Sequence, residues 1–279
     1  MKKTIGVIGC NGNLGYELIS HGCIPMECNI QNKKSIAQSL KKVHPDIIIN
    51  AAAVTDVDEC EDELSQLAYQ VNCAAIANVR DEFMDNIIHI STAYVFDGKK
   101  KAPYTEQDEP NPISVYGRSK LGGEQRLLEY DVRGDCVVRT MSLYGGHKAD
   151  FVTKVLKQIK DGKEITIPNN LFGNPTYILH LAEALVALAL LDARPKIVNI
   201  VGKEVMSRYD LAIMAINMFG WGDRIDLLHP TNKVGGIAPR PKNAGLTTKV
   251  AIKLGIPIYS VLDGLQDMYV QRAFMYGKE

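Results

Sequence analysis

Several things are scarce in this sequence, and each scarcity excludes something. Net charge is the first: 32 Lys+Arg balance 32 Asp+Glu over 279 residues, a formal charge of +0. General polyanion binders carry a basic excess, so nucleic acid is not an expected partner. No apolar run approaches the roughly 20 residues that cross a bilayer, so no membrane association is expected. The N-terminal MKKTIGVIG is basic and then apolar, but Gly9 to Gly15 interrupts it before a signal-peptide core could form. It reads as a first strand. There are six cysteines (Cys10, Cys23, Cys28, Cys60, Cys73, Cys136) and no C-x-x-C pair. Several fall in apolar patterns, as small buried hydrophobes do. A reduced, cytoplasmic protein is expected. Cys23 and Cys28 lack further ligands nearby, and the histidines show no metal spacing, so no metal site is expected. Tryptophan occurs once, as Trp221 between two glycines, where it either caps a pocket or packs in a core.

The rest is ordinary for a globular chain, with 46% hydrophobic and 23% charged residues. That excludes a disordered or fibrous protein. The length suits one large domain or two modest ones. Strands and helices alternate through the first half. Strands are predicted at Thr4 to Ile8, Met26 to Ile30, Asp46 to Ala51, Ile87 to Ser91 and Cys136 to Arg139. Helices are predicted from Leu14 to Ser20, Lys34 to Val43, Leu64 to Phe83 and Ser114 to Tyr130. The run DIIINA is apolar throughout, so both its faces should be covered. This alternation predicts an α/β fold, a Rossmann-like doubly wound parallel sheet. The second half is less regular. Its helix from His180 to Leu191 is almost wholly apolar, and Ile197 to Val201 reads as a strand returning to the main sheet. Ser207 with Asp210, and Ser260 with Asp263, look like helix-capping boxes. The predicted organisation is a dinucleotide-binding domain at 1–145, joined again by about 176–204, and a smaller, partly interleaved α/β region at 146–279.

Gly9, Gly12 and Gly15 form G-x-x-G-x-x-G between the first strand and first helix. Glycine permits close backbone approach, and free N–H groups at a helix start suit a pyrophosphate. The acid expected about 20 residues later, for an adenosine ribose, is not clear. Glu27 and Asn29 are the polar candidates there. No arginine awaits a 2′-phosphate, though Lys33 and Lys34 follow. NAD and NADP both stay open.

Tyr116 and Lys120 lie four apart on one helical face. An ammonium near a phenol favours the phenolate and should lower its pKa. Such a tyrosine can hand a proton to a carbonyl oxygen as hydride arrives at carbon. Upstream, Ser91-Thr92 ends a strand at the sheet edge where ligands bind in parallel sheets.

With these features in hand, the chain resembles the extended short-chain dehydrogenase/reductases, and within them the dTDP-4-dehydrorhamnose reductase family. The resemblance spans nearly the whole chain. It is carried by GCNGNLG (9–15), PDIIINAAAVTDVDECE (45–61), VNCAA (71–75), ISTAYVFDG (90–98), PYTEQDEPNPISVYGRSKLGGE (103–124), VVRT (137–140), GNPTY (173–177) and APRPKNAGL (238–246). It implies reduction of the 4-keto group of a nucleotide-linked 6-deoxyhexulose by NADPH or NADH, in deoxysugar biosynthesis. By position it implies Tyr116 as proton donor, Lys120 as its partner and Thr92 as the hydroxyl orienting the keto group, with Ser91 in support. Gly9, Asn11, Gly12, Asn13, Leu14, Gly15, Asn29, Ile30, Ala51, Ala52 and Ala53 are the expected cofactor site, with Tyr116 and Lys120. Thr55, Val57, Thr92, Ala93, Tyr94, Ser142 and Arg240 are expected at the substrate, Arg240 near its phosphates. Asn72 is expected to support the site from behind. A homodimer is compatible with the resemblance.

Three positions depart from the family pattern. Ala93 replaces an aspartate, which removes a carboxylate expected near the sugar. Ser142 replaces a tryptophan, so an aromatic wall of the sugar pocket should be missing. Asn29 stands where an aspartate usually closes the adenine end. Rival readings are a cofactor-binding regulatory or scaffold subunit of the same fold, and a nucleotide-sugar epimerase or dehydratase. The acidic run DVDECEDE (56–63) reads as a solvated helix start, because acids favour the positive end of a helix dipole.

Overall fold

The computed structural model describes residues 3–276. In chain order the first elements are β1 (Ile5–Ile8), α1 (Asn13–Ser20), β2 (Ile24–Met26), α2 (Lys33–Val43), β3 (Ile47–Asn50), α3 (Ser65–Tyr69), α4 (Ala75–Glu82), β4 (Asn86–Thr92), α5 (Val115–Leu128) and β5 (Cys136–Thr140). There follow β6 (Leu143–Tyr144), α6 (Phe151–Lys160), β7 (Ile165–Pro168), β8 (Phe172–Gly173), β9 (Thr176–Tyr177), α7 (Ile178–Leu190), β10 (Ile197–Asn199) and β11 (Met206–Ser207). The last are α8 (Arg208–Met218), β12 (Leu228–Thr231), α9 (Lys249–Lys253) and α10 (Val261–Tyr276).

Six strands form one parallel sheet in the order β10-β5-β4-β3-β1-β2. Helices cover both faces, which is a Rossmann-like, doubly wound arrangement. The apolar run in β3 shows why. Ile47 and Ile49 pack on one side with Leu18, Leu181, Leu185 and Leu188. Ile48 packs on the other with Ile36, Ile76, Val79 and Leu127. Strand order reverses between β1 and β3, and a crevice opens beyond the carboxyl ends of strands at such a switch point. The strand at Ile197–Asn199 does return to this sheet, pairing with β5 from Val137 to Arg139.

A separate core gathers α6, α8 and α10 around Leu156, Ile159, Ile216, Phe219, Leu265 and Met268. Trp221 is 2% exposed in that core, so it packs and does not cap a pocket. The Ser207–Asp210 capping box forms in both directions. Ser260 and Asp263 bond reciprocally at the start of α10.

Two predicted elements differ. The second strand ends at Met26, because Asn29 turns the chain by accepting from the Gln31 N–H at 2.9 Å. The single helix expected over 64–83 is broken by a π-helical turn at Gln70–Ala74. Such turns insert a residue and re-aim the side chains around it. Here the turn contains Asn72, which is completely buried.

Candidate active site

The glycine loop is built for close approach. Gly9 has φ +84°, and a Cβ there would lie 2.5 Å from the Ala52 nitrogen. A Cβ on Gly15 would lie 2.2 Å from the Gly9 carbonyl oxygen. These two glycines press the first turn of α1 onto the end of β3. Gly12 differs: it is exposed, and a Cβ there would meet only the Gly9 oxygen, at 3.3 Å. Gly12 is also the N-cap of α1 and supplies no side-chain cap, so the helix begins with open N–H groups. Half-buried Ala51, Ala52 and Ala53 form the floor beside it. This cradle fits a dinucleotide pyrophosphate.

Not every residue expected there faces it. Leu14 and Ile30 are 7% and 5% exposed and belong to the two cores that sandwich the sheet, so their side chains are unavailable to a cofactor. The Asn13 amide is fastened to another loop, accepting from the Lys148 N–H at 2.7 Å. Asn11 and Asn29 are exposed at the rim.

Thr92 ends β4, and its hydroxyl accepts from the Tyr94 N–H at 3.2 Å, capping the 3-10 turn Ala93–Val95. The Tyr116 phenol lies beside the Thr92 hydroxyl, which acts to lower its pKa. The rings of Tyr94 and Tyr116 meet edge to face with centroids 5.7 Å apart. Gly117 makes this possible, because a Cβ there would lie 2.2 Å from the Tyr94 carbonyl oxygen. Ser114 caps α5 through the Gly117 N–H at 3.1 Å, and Glu61 accepts from the Val115 N–H at 2.6 Å. Asn72 ties the same helix to the loop after β3. Its amide accepts from Val54 N–H at 2.8 Å and donates to Val54 carbonyl and to Ser119 hydroxyl, both at 3.0 Å. Thr55 and Val57 lie on that loop.

The expected acidification of the phenol is not found. Burial pushes Tyr116 up to about 12, against the lowering effect of the Thr92 hydroxyl. Lys120 is itself buried, which brings its ammonium down to about 8, partly opposed by Glu124. Lys120 Nζ is taken by the Ile90 carbonyl. Ser91 points away from Thr92, as alternate strand residues do. Its hydroxyl donates to Glu124, which forms a buried two-pronged pair with Arg139 at 3.0 and 2.6 Å.

Ala93 does not reach the cleft. It has no exposed surface and sits in a cluster with Val95, Phe96, Met141 and Leu246. Ser142 does reach it, held exposed with φ +50°. A cavity of about 130 Å³ opens there, lined by Tyr94, Ser142, Tyr144, Phe151, Phe172 and Arg208, among others. Phe151 and Phe172, from α6 and β8, give this cavity an aromatic lining. Arg240 is committed elsewhere. Its guanidinium grips Asp58 at 3.2 and 2.6 Å and donates to the carbonyls of Gly235 and Ala238. Arg240 and the Ala238 N–H hold the Asp58 carboxyl below its usual range. Both prongs of the fork are thus occupied by a carboxylate. The acidic run does open a 3-10 turn at Glu59–Glu61, with Asp56, Glu59, Asp62 and Glu63 exposed, but Asp58 and Glu61 also fasten separate segments of the chain.

Sequence reasoning missed Gly117, Glu61, Asp58, Phe151 and Arg208. The first two sit beside the Tyr116 motif, and Ser114-x-x-Gly117 was a readable cap.

A family model described as "RmlD substrate binding domain" matches residues 2–273. The chain belongs to the dTDP-4-dehydrorhamnose reductase family. It is 33% identical to spore coat polysaccharide biosynthesis protein SpsK of Bacillus subtilis (strain 168), over 92% of this chain and 93% of that one. It is 32% identical to dTDP-4-dehydrorhamnose reductase of Escherichia coli (strain K12), over 79% of this chain and 77% of that one. The structure of dTDP-4-dehydrorhamnose reductase from Bacillus anthracis in complex with NADP superposes with a TM-score of 0.85 at 26% identity, covering 97% and 100% of the two chains. No helix among the described residues is long and apolar enough to cross a membrane.

Proposed function

We propose that this protein reduces the 4-keto group of a nucleotide-linked 6-deoxyhexulose to the alcohol, with NADPH or NADH, in deoxysugar biosynthesis. The observation that carries this reading is the Tyr116 phenol beside Thr92 where β4 ends, with the Tyr94 ring in contact with it and lining the cavity. When bound, a nicotinamide cofactor would supply the hydride for the keto carbon. Tyr116, a neutral phenol near pH 7, gives its Oη proton to the keto oxygen. Thr92 orients that oxygen by hydrogen bonding as negative charge builds on it, which is preorganised stabilisation. Lys120 stabilises the phenolate left after proton transfer, being on the same face of α5. Gly9, Gly12, Gly15 and Ala51 to Ala53 hold the dinucleotide. Tyr94 and Ser142 face the sugar, with Thr55 and Val57 beside it.

In the same reading, 1–145 with 176–204 is the cofactor-binding part and 146–279 the substrate-binding part. The separate core around Trp221 supports that division. Six unpaired cysteines support a cytoplasmic protein. A homodimer belongs to the reading and is checked by light scattering. The reductase is tested by loss of NADPH fluorescence with a panel of freshly prepared dTDP-, UDP- and GDP-4-keto-6-deoxy sugars. Turnover of at least one is expected. No turnover with any of them, at cofactor concentrations that saturate binding, rejects the assignment.

A further inference from the structure

The sequence points to Arg240 as the holder of the substrate's phosphates, and the structure shows Arg240 neutralised by Asp58. A second arginine is placed differently. Arg208 is the first residue of α8 and, among the described residues, the only charged side chain lining the cavity that Tyr94 connects to Tyr116. It is half-buried, and its guanidinium lies 5.7 Å over the ring of Phe151. Among the described residues no carboxylate pairs with it. The acids nearest in sequence are occupied: Asp210 bonds Ser207, and Glu204 accepts from the Val261 N–H at 2.8 Å.

An uncompensated cation in an otherwise uncharged, largely apolar cavity makes the site positive and selects an anion. A guanidinium fork matches two phosphate oxygens at once. Phe151 restricts the side chain, which lowers the ordering cost of binding.

We infer that Arg208 binds the diphosphate of the nucleotide-linked substrate, with Phe151 holding the guanidinium in place. This rests on the proposed reductase reading and names the residue that anchors its substrate. The sugar then lies toward Tyr94 and Tyr116, and the nucleoside lies beyond Arg208. Arg240 closes its own loop onto Asp58 and contributes no phosphate contact.

The test is calorimetric titration of the full chain with dTDP, UDP, thymidine, uridine and inorganic pyrophosphate. Wild-type protein is compared with Arg208→Gln, Arg208→Lys and Arg240→Gln, and thermal melting of each checks folding. The diphosphates should bind wild-type protein more tightly than the nucleosides. Arg208→Gln should weaken at least one diphosphate by about 10- to 100-fold, the scale of lost charge-assisted hydrogen bonds, and change nucleoside binding less than twofold. Arg208→Lys should recover part of the loss. In turnover, Arg208→Gln should raise KM more than it lowers kcat.

Equal weakening of nucleoside and diphosphate by Arg208→Gln would show a packing role and overturn the assignment. So would unchanged diphosphate binding in that variant, a loss seen only with Arg240→Gln, or no binding of any diphosphate to wild-type protein. Dependence on Arg208 for pyrophosphate alone would show a general anion site and also overturn it. Arg208-dependent dTDP or UDP binding without reduction of any keto sugar would instead retain the anion site and reject the reductase.

Discussion

Lys120 Nζ donates to the Ile90 carbonyl oxygen at 2.5 Å, across the gap between α5 and β4. The ammonium is thereby held inside the protein, where burial lowers its pKa to about 8. Below that pH it carries the charge that, in the proposed reaction, stabilises the Tyr116 phenolate, and above it the charge is lost. Tyr116, pushed up to about 12, stays a proton donor throughout that range. Reductive kcat/KM, which reports the free enzyme, should therefore fall as pH rises through about 8. The Lys120→Met variant should be slower and should lack that basic limb. A pH profile of both proteins checks it; an identical basic limb in the variant assigns the titration elsewhere.

Tyr116→Phe removes the donated proton and little volume. Turnover should fall by about 10²- to 10⁴-fold, the usual contribution of a positioned general acid. NADPH affinity should stay within a few-fold, because the cradle at Gly9 to Gly15 is untouched. Stopped-flow turnover and fluorescence titration separate the two effects.

The three loop glycines should respond differently. Gly15→Ala drives a methyl to 2.2 Å from the Gly9 oxygen, a backbone clash that no rotamer relieves. It should lower stability by about 1–3 kcal/mol. Gly9→Ala combines a clash at 2.5 Å with an unfavourable φ of +84° and should behave alike. Gly12→Ala should keep its melting temperature within a few degrees and lose NADPH affinity, since its methyl occupies space facing the ligand. Melting curves alongside cofactor titrations decide; a destabilised Gly12→Ala with normal affinity contradicts this.

Glu124 carries three duties on one carboxylate. It accepts from Ser91, pairs with Arg139 and raises the pKa of Lys120. Glu124→Leu leaves Arg139 charged and unpaired, at a cost of about 3–5 kcal/mol. Adding Arg139→Met should recover much of that, because the orphaned charge goes with it. Urea denaturation of the two single variants and the double variant measures the coupling. A double variant as unstable as the sum of the singles argues against it. In Glu124→Gln the basic limb of activity should move to lower pH, since the carboxylate no longer supports the ammonium.

Much of the sheet was legible because its information is local. DIIINA announces a strand covered on both faces, and Gly9, Gly12 and Gly15 announce a turn against it. Tyr116 and Lys120 share a helical face by spacing alone. What was not legible depends on pairs far apart in the chain. Asp58 meets Arg240 across 182 positions, so neither the engaged arginine nor the fastened acid could be read from its neighbours. Asn72 was expected behind the site from the resemblance, but the π-helical turn that contains it is not something a 3.6-residue period can anticipate. The aromatic lining of the cavity comes from Phe151 and Phe172, which reach it from separate elements. The acidity of Tyr116 was misjudged for another reason: spacing puts Lys120 on the same helical face, but burial raises the phenol and Lys120 is not among the groups that shift it.

The outermost strand on the β5 side, β10, joins the sheet long after β5 has been made. Until residues 197–199 leave the ribosome, one side of β5 offers unsatisfied amide and carbonyl groups to any passing strand. A polypeptide cut at residue 145 should therefore self-associate and not behave as a free-standing nucleotide binder. In the growing chain, the interval between these two strands is the period when a holdase chaperone would matter most.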